Sequence, residues 1–187
     1  MVFLLKQLVI IGVAASAAFA ANNSDYELIA ACQASREENL DGVKAALENN
    51  ADINVKFQAN GQTCFMASCL QGNLNVVKHL FELGADTSIP EKDGYTPTHG
   101  AAFQGRVEVM QFLADSGFDL NEFHEDGFAP LHRTCWGRRK EHADTFKLLV
   151  DLGVDPELPS ITQDAKTCRE MTKNPWIKHL LEDKNEF

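Results

Sequence analysis

The chain has 187 residues, 44% of them apolar, which fits one globular domain with an ordinary core. Its 17 basic residues against 27 acidic ones leave a net charge of −10, which works against the phosphate neutralisation that nucleic-acid binding requires. The composition therefore argues against a nucleic-acid partner and favours a basic or neutral protein surface.

Residues 1–20 have the pattern of a secretory signal peptide. One positive charge, Lys6, precedes an apolar stretch, and Ala18-Phe19-Ala20 has the small-x-small pattern after which signal peptidase cuts. An uncleaved anchor is the alternative, but the uncharged stretch runs only from Leu8 to Ala21, and a spanning helix needs about 20 apolar residues. We predict cleavage after Ala20 and no membrane segment in the mature chain.

This segment also predicts the location of the protein. We expect secretion or residence in the secretory lumen, where Asn22 would begin a glycosylation sequon. Residues 16–20 also resemble the cleavage motif of plastid-targeted preproteins, so a plastid is the alternative. The acidic Asp25 and Glu27 follow, however, where a transit peptide is basic.

The rest of the chain repeats at a constant interval. Gly61, Gly94 and Gly127 each follow an asparagine or aspartate and are evenly spaced, whereas the interval from Gly117 to Gly153 is three positions longer. Asn-Gly and Asp-Gly pairs fit the tip of a tight turn, because glycine accepts positive φ without steric cost. The pattern predicts regular turns and a three-residue insertion in one repeat.

Each repeat is predicted to contain a turn and two antiparallel helices. Thr96-Pro97 suits the start of a first helix, because threonine can cap free N–H groups and proline fits the first helical position. Apolar residues at helical spacing mark the second helices, in the sets Leu74, Val77, Leu80; Val107, Met110, Leu113; and Ala143, Phe146, Leu149. Such units must stack to bury these faces, which predicts an elongated solenoid.

The repeat motifs resemble those of the ankyrin-repeat family. Residues 96–102 and 129–132 are similar to its T-P-L-H-x-A-A signature, and Gly84-Ala85-Asp86 matches its G-A-D segment. The resemblance covers roughly residues 28–181. It implies an all-α solenoid of helix-turn-helix units with short β-hairpin loops, which binds another protein on its concave face. We expect a monomer.

The repeat pattern divides the chain into a signal peptide and five units. After residues 1–20 we expect an N-terminal capping repeat at 21–58, repeats at 59–91, 92–125 and 126–160, and a C-terminal capping repeat at 161–187. The first unit lacks the turn glycine but keeps Leu40, Val43 and Leu47 at helical spacing. A last helix is expected to begin at Asn174-Pro175.

The five cysteines are expected to be reduced, although disulfides are common in exported chains. Cys69 and Cys135 occupy equivalent positions in repeats that are two units apart. Their Cα atoms are therefore expected to be farther apart than the distance of about 7 Å that a disulfide can span. Cys64 and Cys69 point to different sides of one helix, and Cys168 lies too far along to meet Cys64. Cys32 is equivalent in position to Cys69 only if the first repeat also carries an insertion. Free cysteines pack as small apolar groups.

Metal-binding and catalytic sites are not expected. His124, Glu125, Asp126 and His132 are ligand types, but no zinc spacing recurs, and His132 occupies the structural histidine position of the repeat. The alternative to protein binding is a thiol- or hydrolase-type enzyme that uses Cys135, whose basic neighbours would lower its pKa. Because Cys135 falls in a core column, we expect no enzyme and no cofactor.

Aromatic residues cluster on the predicted concave face. Those on or beside the turn tips are Phe57, Tyr95, Phe123 and Phe128, and those at equivalent first-helix positions are Phe103 and Trp136. Exposed aromatic clusters mark interaction sites, and aromatic anchors carry much of the binding energy at interfaces. We expect all six residues to bind the partner, with Tyr95, Phe123 and Phe128 as its main anchors. Packing in the core is the alternative for Phe103 and Trp136. The charged rim of this surface is expected to consist of Glu91, Lys92, Glu122, Glu125 and Asp126.

A basic cluster lies in the inserted loop, at Arg138, Arg139 and Lys140. A solvated loop accounts for it. The alternative is a secondary contact for an acidic partner or an anionic lipid head group, and reversing the three charges would then abolish that interaction.

Overall fold

The structure, a computed structural model, describes residues 23–33 and 39–183. Within these ranges it contains ten helices and no β-strand. In chain order they are α1 (residues 23–33), α2 (Leu40–Glu48), α3 (Cys64–Gln71), α4 (Leu74–Glu82), α5 (Pro97–Gln104), α6 (Val107–Asp115), α7 (Pro130–Trp136), α8 (Lys140–Asp151), α9 (Cys168–Met171) and α10 (Pro175–Glu182). First helices α3, α5, α7 and α9 form one layer, and second helices α2, α4, α6, α8 and α10 form the other. The all-α repeat solenoid is therefore confirmed.

The first helices begin directly after the residues that the repeat motif predicts. The Thr63 hydroxyl accepts a hydrogen bond from the backbone N–H of Met66 at 3.3 Å and so caps α3. The Thr96 hydroxyl does not cap α5, because it bonds Nδ1 of His99 at 2.7 Å instead. At the last helix, the Asn174 side chain caps α10 as predicted.

The core lies between the two helix layers. The predicted apolar faces point into it, and their buried members are Val77, Leu80, Met110, Leu113, Ala143, Phe146 and Leu149. Ala101 and Ala102 are buried on α5. These small side chains allow neighbouring first helices to approach closely.

Tight turns connect one helix pair to the next. Gly94 and Gly127 both have a φ of +85°, and Gly61 has +70°. In the turn before α5, the N–H of Gly94 donates to the Glu91 carbonyl at 2.9 Å, and the N–H of Glu91 donates to the Tyr95 carbonyl at 3.2 Å. The turn positions predicted from the glycine spacing are confirmed.

Two disulfides cross-link neighbouring helix pairs, which corrects the expectation of five reduced cysteines. Cys32 of α1 bonds Cys64 at the start of α3, and Cys135 of α7 bonds Cys168 at the start of α9, with Cα separations of 5.4 and 5.6 Å. The sequence argument considered only pairs of cysteines on the same helix or at equivalent positions of different repeats. Each disulfide instead joins a late position of one first helix to the first position of the next.

Cys69 is free and fully buried. Cys69 occupies the same position in its repeat as Cys135. Its disulfide partner would stand at the start of the next first helix, at the position equivalent to Cys64, but that residue is Pro97, which has no thiol. Burial raises the pKa of the Cys69 thiol. This cysteine is the packed, reduced residue that the sequence predicts.

The insertion lengthens α8, which has 12 residues where α4 and α6 have 9 each. The loop before it is held from both sides. The Asn174 side-chain amide donates to the carbonyls of Gly137 at 3.0 Å and Arg139 at 2.9 Å. The Arg139 guanidinium donates to the Gln104 carbonyl at 2.8 Å.

The predicted signal peptide, residues 1–20, lies outside the described residues, as does Asn22 of the sequon. Among the helices that the structure describes, none combines the length and apolar character needed to cross a bilayer.

Candidate functional site

A groove of about 320 Å³ lies on the side of the first helices and the turns, which is the face that the sequence predicts to be concave. We call it the central groove. Helices α3, α5 and α7 form its floor and one wall, and the segments preceding α3 and α5 form the other. Its lining residues are Gln62, Met66, Leu70, Glu91, Tyr95, His99, Gly100, Phe103, Gln104, Arg133 and Trp136.

Gly100, within α5, lets two side chains of α3 pack closely against the helix at the central groove. The equivalent positions in the flanking repeats hold Ala67 and Arg133. A Cβ at Gly100 would lie 3.0 Å from Cε of Met66 and 3.2 Å from Cδ1 of Leu70, two side chains that line the groove. A glycine inside a helix costs roughly 0.5–1 kcal/mol relative to alanine, and at this position it permits that close approach.

A row of apolar side chains borders the central groove. Leu70, Phe103 and Trp136 occupy equivalent positions in three successive repeats. Phe103 is 49% exposed and Trp136 is 40% exposed. Together the three side chains present apolar surface that a partner can cover.

Arg133 closes the α7 end of the groove, although the side chain is only 3% exposed. Its guanidinium carbon lies 4.6 Å from the ring centroid of Tyr95, 4.7 Å from that of Trp136 and 5.7 Å from that of Phe128. These distances are those of cation–π contacts. Its Nη2 donates to both carboxylate oxygens of Asp126, at 2.7 and 2.8 Å. We call these five residues the arginine cluster.

The charges of the arginine cluster compensate each other. Burial alone would raise the pKa of Asp126, but hydrogen bonds from Arg133 and His124 and the charge of Arg133 outweigh it and lower the pKa to about 2. Asp126 is therefore ionised at neutral pH and neutralises Arg133. Glu91 is different, because its carboxylate has no ion-pair partner in the described part of the chain.

His99 leaves the floor of the groove uncharged at neutral pH. Burial, followed by the charge of Arg133, lowers the pKa of His99 to about 4. Its Nε2 donates to the Phe128 carbonyl at 3.2 Å, so its Nδ1 accepts from the Thr96 hydroxyl. The histidine thereby ties the start of α5 to the next turn.

The structure corrects the assignment of Phe57 to the partner-binding residues. Phe57 is 2% exposed and packs in the core. Its N–H donates to the Gln62 carbonyl at 2.8 Å, which places it at the base of its turn and not at the tip. Tyr95, Phe123 and Phe128 are half-buried. Of the six aromatic residues, Phe103 and Trp136 are the most exposed.

The sequence placed Glu91 in the charged rim of the partner-binding surface but did not single out Gly100 or Arg133 as groove residues. A glycine within a predicted helix was a usable signal for Gly100. Arg133 also had a usable signal, because the equivalent positions of the preceding repeats hold small residues. No local pattern connects Arg133 to Tyr95, because the contact crosses between repeats.

The structure places the basic loop apart from the central groove. Arg138, Arg139 and Lys140 are exposed, and none of them lines the groove. Lys140 pairs with Asp144 at 2.6 Å, and Arg139 holds the Gln104 carbonyl. A secondary contact at this loop stays a prediction.

The residues considered for catalysis or metal binding have structural roles. Cys135 is buried in its disulfide and so presents no thiolate. Nε2 of His132 donates to the Leu158 carbonyl at 3.0 Å, and Nε2 of His124 donates to the Asp93 carbonyl at 2.7 Å. Among residues 23–33 and 39–183, no group of three or more such side chains could hold a metal ion.

The family profile described as "Ankyrin repeats (3 copies)" matches residues 4–91, 28–124 and 83–160. This chain belongs to the ankyrin-repeat family. Ankyrin repeats mediate protein–protein interactions, which is the role that membership of this family implies.

Comparison with individual proteins adds relatives of the same class. The chain is 38% identical over 73 residues to the Notch-regulated ankyrin repeat-containing protein B of Danio rerio, covering 37% of this chain and 66% of that protein. It is 37% identical over 73 residues to the Notch-regulated ankyrin repeat-containing protein of Homo sapiens, covering 37% and 64%. A third relative, the ankyrin repeat and SAM domain-containing protein 6 of Rattus norvegicus, is 37% identical over 54 residues, covering 29% and 6%. The chain thus spans just under two thirds of the first two relatives.

Proposed function

We propose that this ankyrin-repeat chain binds its protein partner in the central groove. The observation that carries the proposal is the apolar lining of the groove beside the exposed rings of Phe103 and Trp136. A long side chain of a partner with an apolar stem would lie in the groove and cover both rings. Binding sites of this kind combine an apolar hollow with a few polar groups, here Gln62 and Glu91.

Within this proposal, the predicted anchors Tyr95 and Phe128 have a supporting role. Both pack on Arg133 and form the end wall of the groove. Alanine at either position would therefore disturb the wall as well as any partner contact. Phe103 and Trp136 are the cleaner anchors, because a large part of each ring is exposed.

The proposal is tested by affinity capture with the mature, oxidised chain, followed by titration of the captured partner. Trp136→Ala should weaken binding by at least about 1 kcal/mol. The matched control is Trp176→Ala in α10, since Trp176 is 46% exposed and lies outside the groove. Unchanged affinity for Trp136→Ala with weakened binding for Trp176→Ala would place the partner elsewhere.

We also propose that the protein acts in an oxidising compartment, outside the cell or in the secretory lumen. The predicted signal peptide supports this location, and so do the two disulfides, because such bonds persist mainly in oxidising environments. N-terminal sequencing of the mature protein should begin at Ala21. A mature chain that starts elsewhere and carries free thiols at Cys135 and Cys168 would contradict the proposal.

A further inference from the structure

We propose that the central groove binds a lysine or arginine side chain of the protein partner, with its charged head at Glu91. This inference rests on the proposed function and adds the chemistry of the partner. It follows from the shape of the groove, the state of Glu91 and the charge distribution around the groove.

The shape of the groove suits a long side chain with an apolar stem. Leu70, Phe103 and Trp136 give the groove an apolar lining that a partner side chain can cover. The methylene groups of lysine and arginine cover such apolar surface while their charged ends remain at a polar site. A short polar side chain would leave the apolar surface of the groove in contact with water.

Glu91 supplies the polar end. The Gln62 side-chain amide donates to Oε2 of Glu91 at 2.6 Å, which orients the carboxylate beside the groove. Its charge has no ion-pair partner in the described part of the chain. A cationic head would provide that partner and form a charge-assisted hydrogen bond.

The surroundings favour a cation over an anion. The charge of Arg133 is already neutralised by Asp126, and the guanidinium is almost inaccessible. The exposed residues Asp93, Glu122 and Glu125 lie on the segments preceding α5 and α7, and the whole chain carries −10. An acidic ligand would meet Glu91 within this negative field, whereas a basic one is attracted to it.

The test uses pools of degenerate peptides that differ only in one fixed central residue: arginine, lysine, methionine or glutamate. Methionine has a long apolar side chain without charge and so reports the stem alone. The oxidised mature chain should retain the arginine and lysine pools most strongly. Glu91→Gln should reduce their retention about fivefold and leave the methionine pool unchanged. Glu82→Gln, an exposed position at the end of α4 and outside the groove, should change none of them.

Two further results separate this inference from the proposed function. Gly100→Leu places a large side chain against Met66 and Leu70 at the groove and should abolish retention of every pool that binds there, with a circular dichroism spectrum like that of the parent as the control for folding. If this variant does not fold, Phe103→Ala, which removes an exposed ring of the same groove, takes its place. If Gly100→Leu abolishes binding but the methionine or glutamate pool is preferred, the groove is the binding site and the cationic partner is wrong. Equal retention of all pools, including no retention of any, overturns the inference. Retention that Gly100→Leu leaves unchanged overturns the groove itself.

Discussion

The terminal and central junctions of the solenoid are held together differently. At the two ends, Cys32–Cys64 and Cys135–Cys168 bond one helix pair covalently to the next. The two central junctions, between α3 and α5 and between α5 and α7, have no disulfide. Side-chain packing and hydrogen bonds such as that from His99 to the Phe128 carbonyl hold these central helices.

Stability and binding reside in different parts of this protein. Within the described residues, the first and last helix pairs are stacked on one side, so they bury less apolar surface than the central pairs, which are stacked on both. A covalent bond compensates for that loss. The central pairs are held by packing and hydrogen bonds, and their groove is available for a partner.

The largest loss of stability is expected when the disulfide at one end of the solenoid is removed. Replacing Cys135 and Cys168 together by alanine should lower the free energy of unfolding by about 3 to 4 kcal/mol, because the bond closes a chain segment with a sequence separation of 33. Urea unfolding under oxidising conditions measures it. Cys69→Ala is the control and should cost less, since Cys69 makes no disulfide. If reduction leaves the stability of the parent protein unchanged, the disulfides do not stabilise the ends.

A turn glycine tests the central junctions. Gly94→Val should destabilise the protein by about 1 to 3 kcal/mol, because φ is +85° and a Cβ would lie 3.2 Å from Nε2 of His124. Gly84→Val is the matched control for the contact: its φ of +78° imposes similar backbone strain, but no atom lies within 4 Å of the added Cβ, so it should destabilise the protein less than Gly94→Val. Thermal unfolding compares the two variants, and an unchanged midpoint for Gly94→Val would refute the role of this turn.

The buried histidine should make the centre sensitive to acid. Burial lowers the pKa of His99 from 6.5 to about 4, so the unfolded chain binds a proton more readily than the folded one between these values. Stability should therefore fall as the pH decreases from 6.5 to 4, by about 2 to 3 kcal/mol. His99→Gln should remove this part of the pH dependence while the contribution of buried His132 remains. Identical slopes in both proteins would mean that His99 does not contribute.

The smallest expected effect concerns Gly100 in α5. Gly100→Ala should change the free energy of unfolding by less than about 1 kcal/mol, because the higher helix propensity of alanine is offset by the approach of the added Cβ to Cε of buried Met66 and to Cδ1 of Leu70. Partner binding should weaken, because both side chains line the groove and must shift. Circular dichroism melting and partner titration measure the two effects. Unchanged affinity would indicate that the partner does not use this part of the groove.

The repeat architecture of this protein could be predicted from its amino-acid sequence. The glycine spacing predicted the turns at Gly94 and Gly127, and the Thr-Pro motif predicted the start of α5. These features depend on local backbone chemistry that recurs in each repeat, so the sequence contains them directly. The same register gave the equivalent positions of Phe103 and Trp136, whereas their exposure was a finding of the structure.

The contacts between residues of different repeats could be identified only from the tertiary structure. It joined Cys32 to Cys64, placed Phe57 in the core and brought Arg133 against Tyr95. A repeat pattern gives the position of a residue within its own unit. It does not give the offset between facing positions of adjacent units, because that offset depends on how closely the small side chains of the first helices let the units pack.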